Sequence, residues 1–398
     1  MTQPYIKNEK AVLFLLAALQ FTNIMDFMIM MPLSVHIMPA FNISPQQFSF
    51  IVSAYAFAAF GSSIAASFFV DKFDRKSLLL FVYTGFLIGT FACAWAPTFY
   101  FLIFARIFAG LFGGLIAAQV LAIVGDYIPF ERRGKAMGVL FAGFSLASVA
   151  GVPVGIYLAD TFQWHIPFIM VGAMGVILLP TIFFLLPQLK IHLEDKNEKP
   201  HVAKIIVNDT NLQIALLMMF TLVLSHFVTI PFLAQYIEKN VGFTKAQIAW
   251  VYMVGGLSTL IFSPVIGRLA DKYGKYKVFA YLVIGSWFPV FVLTNLQQVS
   301  IVWVLLVAAL FFIFGAGRYV PAQALITSVV KPQYRGGFMN INASSQNLAT
   351  ALAALISGFI VTTDENGKLL HYNWVGFFAI AVSIICITVA RKLIVKAD

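Results

Sequence analysis

Long apolar stretches separated by short polar loops recur along the whole chain. They fall at roughly 11–36, 47–70, 78–97, 99–127, 136–160 and 166–186, then at roughly 213–238, 247–270, 277–295, 299–329, 337–361 and 372–390. A helix needs roughly 20 apolar residues to cross a bilayer, so the pattern predicts twelve spans, six on each side of the most polar stretch, Pro187 to Leu212. That stretch carries Lys190, Glu194, Asp195, Lys196, Glu198, Lys199 and Lys204 without apolar periodicity and reads as a linker. The fold expected is therefore all-α and membrane-embedded, with a six-helix bundle over 1–186, a linker over 187–212 and a second six-helix bundle over 213–398.

The two halves repeat one another. Asp71-Lys72-Phe73-Asp74-Arg75-Lys76 returns as Asp271-Lys272-Tyr273-Gly274-Lys275-Tyr276. The register extends to Ser44-Pro45-Gln46-Gln47 against Thr244-Lys245-Ala246-Gln247, and to Pro32 against Pro231. Internal repeats of spans mark secondary transporters, because two pseudo-symmetric bundles can rock about a site held between them.

Composition sharpens this picture: 61% hydrophobic and 11% charged residues leave too little polar surface to coat a soluble globule. The net charge of +10 does not point to nucleic acid, since it is scattered over loops flanking spans and forms no single face. Of the 26 Lys and Arg, only Lys239, Lys245 and Lys368 fall outside if both termini are cytoplasmic, and Arg106 and Arg318 lie within spans. An excess of basic residues on cytoplasmic loops then fixes that orientation. Ala11 to Met38 is too long for a cleaved signal peptide and lacks its small-residue site. Cys93 and Cys386 fall within spans as small apolar fillers.

Ionisable groups at membrane depth cost several kcal/mol and normally face a cavity or a partner. Asp26, in the first span, and Arg106, in the fourth, come to similar depth. They suit either a proton-coupling pair, with Arg106 biasing the carboxylate, or a permanent structural ion pair. Arg318, in the tenth span, has no repeat counterpart, because the Phe112-Gly113 to Phe314-Gly315 alignment puts Ile116 there. It is a candidate substrate contact, or a cation that snorkels toward the cytoplasm or pairs with a carbonyl. His226 lies near the repeat counterpart of Asp26, while His36 and His165 fall at the external interface. In the fifth span Gly151, Pro153 and Gly155 predict close helix contact and a kink, and the fourth span offers Gly110, Gly113 and Gly114.

These residues resemble those of a known family. Asp71 to Lys76 and Gly267 to Lys275 are similar to the loop signature of the major facilitator superfamily, the second copy nearly complete and the first with Ser67 and Asp74 where glycines are usual. Arg106-Ile107-Phe108-Ala109-Gly110 resembles its R-x-x-x-G motif, and Arg132-Arg133-Gly134-Lys135-Ala136 the R-G-x-A element that follows. Gly151-Val152-Pro153-Val154-Gly155 and Gln163-Trp164-His165-Ile166-Pro167-Phe168 resemble elements of twelve-span drug/proton antiporters, particularly the arabinose, purine and chloramphenicol efflux branch, with His165 in place of an arginine. The resemblance implies a cytoplasmic gate in which Arg75 reaches Asp126 and Asp71 faces Arg335, with Arg133 alongside and Asp271 as the repeat counterpart of Asp71. It also implies a central cavity lined by spans 1, 4, 7 and 10, with Asp26, Met30, Gln119, His226, Gln235, Arg318, Tyr319 and Gln323 as candidates.

The function expected is alternating-access export of small amphipathic, drug-like or sugar-like compounds, driven by protons through Asp26, by a monomer in a bacterial cytoplasmic membrane. A uniporter or importer on the same fold, including one moving lipid, is the alternative, and a non-transporting receptor stands behind both. No cofactor or metal is expected beyond the proton gradient. No HExxH, GxSxG, paired cysteines or close carboxylate pair occurs in the spans, which argues against an enzyme.

Overall fold

Where it is described, each apolar stretch folds mainly as helix, because inside a bilayer every backbone N–H and C=O must be paired within its own segment. The computed structural model describes residues 9–69, 73–128, 132, 136, 138–140, 143, 146–187, 202–331 and 334–393. The first half runs α1 (Glu9–Ile29), α2 (Ser34–Phe41), α3 (Pro45–Phe69), α4 (Arg75–Ala94), α5 (Phe99–Tyr127), a π-helical turn (Ala147–Gly151), α6 (Val152–Thr161) and α7 (Ile166–Leu185). The second half runs α8 (Val202–Asn208), α9 (Thr210–Phe227), α10 (Leu233–Tyr236), a π-helical turn (Ile237–Val241), α11 (Lys245–Tyr273), α12 (Lys275–Thr294), α13 (Ile301–Gly317), α14 (Tyr319–Val329), α15 (Arg335–Ile360) and α16 (Tyr372–Arg391). A small antiparallel hairpin, β1 (Thr362–Thr363) with β2 (Leu369–Leu370), joins the last two helices.

Among the described residues eleven helices are long and apolar enough to cross a membrane, α13 and α14 counting together as one. The remaining expected span, 136–160, is described continuously only from residue 146, as the π turn and α6. Phe14, Phe104, Ile177, Phe288 and Trp303 are each more than 60% exposed on the outer surface, an apolar belt that suits hydrocarbon.

Two expected spans are shorter than the apolar runs suggested. The first, expected over 11–36, stops at Ile29 and turns before α2; the seventh, expected over 213–238, stops at Phe227 and turns before α10. Pro32 and Pro231 supply the reason, since each lacks the N–H a continuing helix needs. They are repeat counterparts, so the halves break at the same place. The stretch expected as linker also holds α8 and the start of α9, which is capped by the Asp209 carboxylate accepting from the Asn211 and Leu212 N–H groups.

The duplication is visible in packing. Phe112 of α5 rests on Gly85 of α4, and Phe314 of α13 rests on Gly285 of α12. The charged loop is closed differently in each copy. Gly274 has φ +98°, a conformation that favours glycine. Asp74 has φ −57° and caps α4 instead, its carboxylate accepting from the Ser77 N–H at 3.0 Å and hydroxyl at 2.9 Å.

The apolar core shows how the halves meet. One cluster joins both, from Met30, Leu33, Phe48 and Ile156 to Val228, Phe232 and Val251. It lies toward the end opposite the charged loops. A second cluster, including Leu16, Leu79, Ile123 and Ile182, belongs to the first half alone, and a third, including Met219, Phe279 and Leu325, to the second half alone. The halves are therefore sealed together at the His36 end and part toward the charged-loop end. Aromatic pairs cross the seal, Phe48 with Phe232 at 6.0 Å and Phe27 with Phe227 at 6.2 Å between ring centroids. α11 presses on the first half at Gly256, where a Cβ would stand 2.8 Å from the Val149 nitrogen in the π turn.

Candidate functional site

α1 and α5 bring Asp26 and Arg106 together. Arg106 Nη1 donates to Asp26 Oδ2 at 2.7 Å, and both side chains are fully buried. Thr90 of α4 donates its hydroxyl to Oδ1 at 3.1 Å. The Tyr55 ring of α3 lies 4.3 Å from the guanidinium carbon, close enough for a cation–π contact. Tyr55 also donates its hydroxyl to Asn23 Oδ1 at 2.8 Å, and Asn23 Nδ2 donates to the Gly113 carbonyl at 3.2 Å. The expected pair thus exists, directed into the first bundle rather than toward a cleft. Gly110, one turn beyond Arg106, explains the R-x-x-x-G spacing. A side chain there would collide with the Tyr55 backbone, so glycine lets α3 press against α5 and lay the ring on the cation.

The second half places different chemistry in the same frame. The Pro32 to Pro231 register puts Ser225 opposite Asp26. Arg318, at the one-residue interruption between α13 and α14, is 3% exposed. Its Nη2 donates to Ser225 Oγ at 3.1 Å, its Nη1 to Ser286 Oγ at 3.3 Å and its Nε to the Gly315 carbonyl at 3.2 Å. Both serine hydroxyls donate to their own helices, at Leu222 and Val283, which leaves their lone pairs for the cation. Among the described residues no carboxylate stands within ion-pairing distance of Arg318. His226 stacks on Phe311 with centroids 5.4 Å apart and meets Tyr319 edge-on at 5.9 Å.

The remaining cavity candidates separate. Met30 and Gln235 are buried toward the sealed end rather than open to a cleft, because α1 and α9 break just there. Gln119 is fully enclosed with neither amide atom partnered. Tyr319 and Gln323, one turn apart on α14, are part-exposed. Gly151 and Gly155 admit Met25 and Ile29 of α1, so they serve packing inside the first half. Pro153 follows a π turn in which the Val152 N–H reaches the Ala147 carbonyl.

Of the expected gate, Arg75 is buried at the start of α4, Arg335 Nη2 donates to the Thr327 carbonyl at 3.1 Å, and Asp271 is exposed in the last turn of α11. Asp71, Arg133 and the side chain of Asp126 lie outside the described residues. At the sealed end His36 Nε2 is 3.8 Å from Asp160 Oδ1. Burial first, and then Lys245 of the second half, hold the His36 pKa down to about 4 against the opposing pull of Asp160.

Sequence reasoning missed Tyr55, Thr90, Asn23, Ser225 and Ser286. Ser225 was within reach, since the Pro32 to Pro231 register assigns it, while the Asp71 to Asp271 register assigns its neighbour His226. The others are ordinary span residues until helix rotation is known. Cys93, read as filler, proves to lie within electrostatic reach of Asp26 and Arg106.

A family model described as Major Facilitator Superfamily matches residues 16–213 and 215–397. An MFS-type transporter of Bacillus subtilis, YceJ, is 25% identical over 92% of each chain. A probable sugar efflux transporter of Helicobacter pylori is 25% identical over 90% of this chain and 88% of its own. Among solved structures, a D-xylose-proton symporter superposes with TM-score 0.76 at 16% identity over 98% of both chains. A bacterial homologue of the human lysosomal transporter Spinster, inward-facing and occupied, gives 0.75 at 15% identity over 99% of this chain and 97% of its own.

Proposed function

The chain belongs to the major facilitator superfamily, and on that premise we propose that this membrane transporter is a proton-coupled exporter of small sugar-like or amphipathic compounds, with Asp26 as the coupling carboxylate. The observation that carries the reading is the fully buried Asp26–Arg106 pair. Asp26, in the last turn of α1, is the one fully buried acidic side chain among the described residues. A proton on Oδ2 would neutralise the carboxylate and release Nη1, while the Tyr55 ring stays over the guanidinium. With the charged loops cytoplasmic, the state described faces inward, and the Met30, Met31 and Leu33 seal shuts Asp26 off from the outside. Substrate would enter the cleft from the cytoplasm. Rocking of the halves would then carry it outward, and protonation of Asp26 from outside would reset the cycle. Export of a sugar-like compound is supported by likeness to the efflux relative.

The test is flux in liposomes holding purified protein and an internal pH dye. A panel of sugars, nucleosides, antibiotics and lysolipids is added to wild type, Asp26→Asn and Asp26→Glu. Substrate-driven proton movement is expected in the wild type, absent in Asp26→Asn and partly kept in Asp26→Glu. Substrate movement with no proton signal in the wild type would replace this reading with a uniporter, and proton movement persisting in Asp26→Asn would remove Asp26 from it.

A further inference from the structure

Among the described residues, the helices that can cross a membrane bury two guanidinium groups away from their ends or at a helix interruption, Arg106 and Arg318, and one carboxylate, Asp26. Asp26 is committed to Arg106 in the first bundle, which leaves Arg318 without a counter-charge in the second. A buried, unpaired cation costs several kcal/mol, and proteins normally answer one with an anion or a hydrogen-bonded partner. The three contacts of Arg318 occupy three of its five N–H donors. The Tyr319 hydroxyl, within electrostatic reach of the guanidinium, is itself buried and unpartnered. What remains around the positive charge is two guanidinium N–H groups and the Tyr319 hydroxyl, with no anion among the described residues to match. Ser225 and Ser286 donate their own protons to Leu222 and Val283 and only orient the fork.

Its place in the fold points to a ligand from the cleft. Tyr319 packs against both the shared cluster and the cluster of the second half alone, which sets Arg318 at the level where the halves begin to part. Gln323 lies one turn further on the Tyr319 face of α14 and adds an uncharged amide to that face. A guanidinium holds a carboxylate through paired hydrogen bonds, and hydroxyl and amide groups suit a hydroxylated body.

We propose that Arg318, held in place by Ser225 and Ser286 and joined by Tyr319, forms an anion-recognition site, and that the compound carried is a small hydroxylated acid whose carboxylate docks there. The proposal rests on the export reading for calling that acid a substrate, whereas the site can be tested by binding alone.

The experiment is thermal unfolding of the full-length protein in lipid nanodiscs, titrated with gluconate, glucose or chloride, for wild type, Arg318→Gln, Arg318→Lys and Asp26→Asn. Gluconate should raise the wild-type melting temperature saturably, glucose should not at matched concentration, and the shift should vanish in Arg318→Gln. Arg318→Lys should bind at least about tenfold more weakly, because lysine cannot present the fork. Asp26→Asn should keep the gluconate shift, which separates this site from proton coupling. Equal shifts in wild type and Arg318→Gln, or no saturable shift with gluconate, would overturn the site. A saturable shift with chloride alone would make it an inorganic-anion site and overturn the substrate assignment.

Discussion

Taking one partner from a dehydrated ion pair strands the other, and the loss is typically about 3–5 kcal/mol. Arg106→Gln and Asp26→Asn should each lower the unfolding free energy by about that much, Asp26→Asn by the smaller amount. The Tyr55 ring still faces the cation there, a contact worth up to ~2 kcal/mol when desolvated. The double variant should recover most of the loss, because neither charge is then unpaired. Chemical denaturation of the four proteins in one detergent measures the cycle. Additive losses would mean that the two groups do not act as a unit, and would weaken Asp26 as a gated proton site. Thr90→Val tests the remaining contact: it removes one hydrogen bond to Oδ1, and hydrogen bonds to charged groups are worth about 1.5–3 kcal/mol.

Two features hold the seal at the level of elements, and they predict different behaviour. α2 carries His36 against Asp160 at the end of α6 and near Lys245 at the start of α11. With its pKa held at about 4 instead of the ordinary 6.5, His36 is neutral in the sealed state, so protonation favours a state in which it meets water. The stabilisation is complete above about pH 6.5 and is lost as the pH falls toward about 4. Spin labels at the exposed positions Phe162 and Ala246 should move apart over that window in wild type, with a smaller response in His36→Gln. Identical titrations would remove His36 from the seal. The Gly256 contact has no titratable part. Gly256→Val puts a side chain against the Val149 backbone, an overpacking cost of about 1–3 kcal/mol, and should separate the same labels at every pH. Unchanged distances would show that α11 shifts to absorb the side chain.

At the scale of the molecule, the duplication and the placing of the spans were legible in the sequence, because long apolar runs and repeated charged loops are set by the bilayer itself. The helix breaks near Pro32 and Pro231 were not, since proline inside an apolar run can kink a span as readily as end it. That Asp26 and Arg106 would be paired was legible from depth. That they turn into the first bundle, beneath Tyr55, was not, because helix rotation is decided by contacts such as Gly110 against α3. Rotation also creates a connection that no motif marks. Arg106 lies under Tyr55, Tyr55 meets Phe27 at 5.4 Å, Phe27 meets Phe227 across the halves at 6.2 Å, and Phe227 meets His226 at 5.6 Å, beside Arg318. Packed rings between two charged sites carry coupling only if both sites bias their arrangement, which a mutation can test and proximity cannot. If the Phe27–Phe227 contact joins the halves energetically, Phe27→Ala and Phe227→Ala should each leave proton uptake in place while loosening its dependence on substrate. Typical coupling free energies of about 1–3 kcal/mol correspond to a fall of roughly fivefold or more in the ratio of substrate-driven to substrate-free proton flux. The double variant should do no worse than either single one, since one contact is lost in all three. Independent, multiplying effects would place the coupling elsewhere in the seal, with α6 against α11 the next interface to probe.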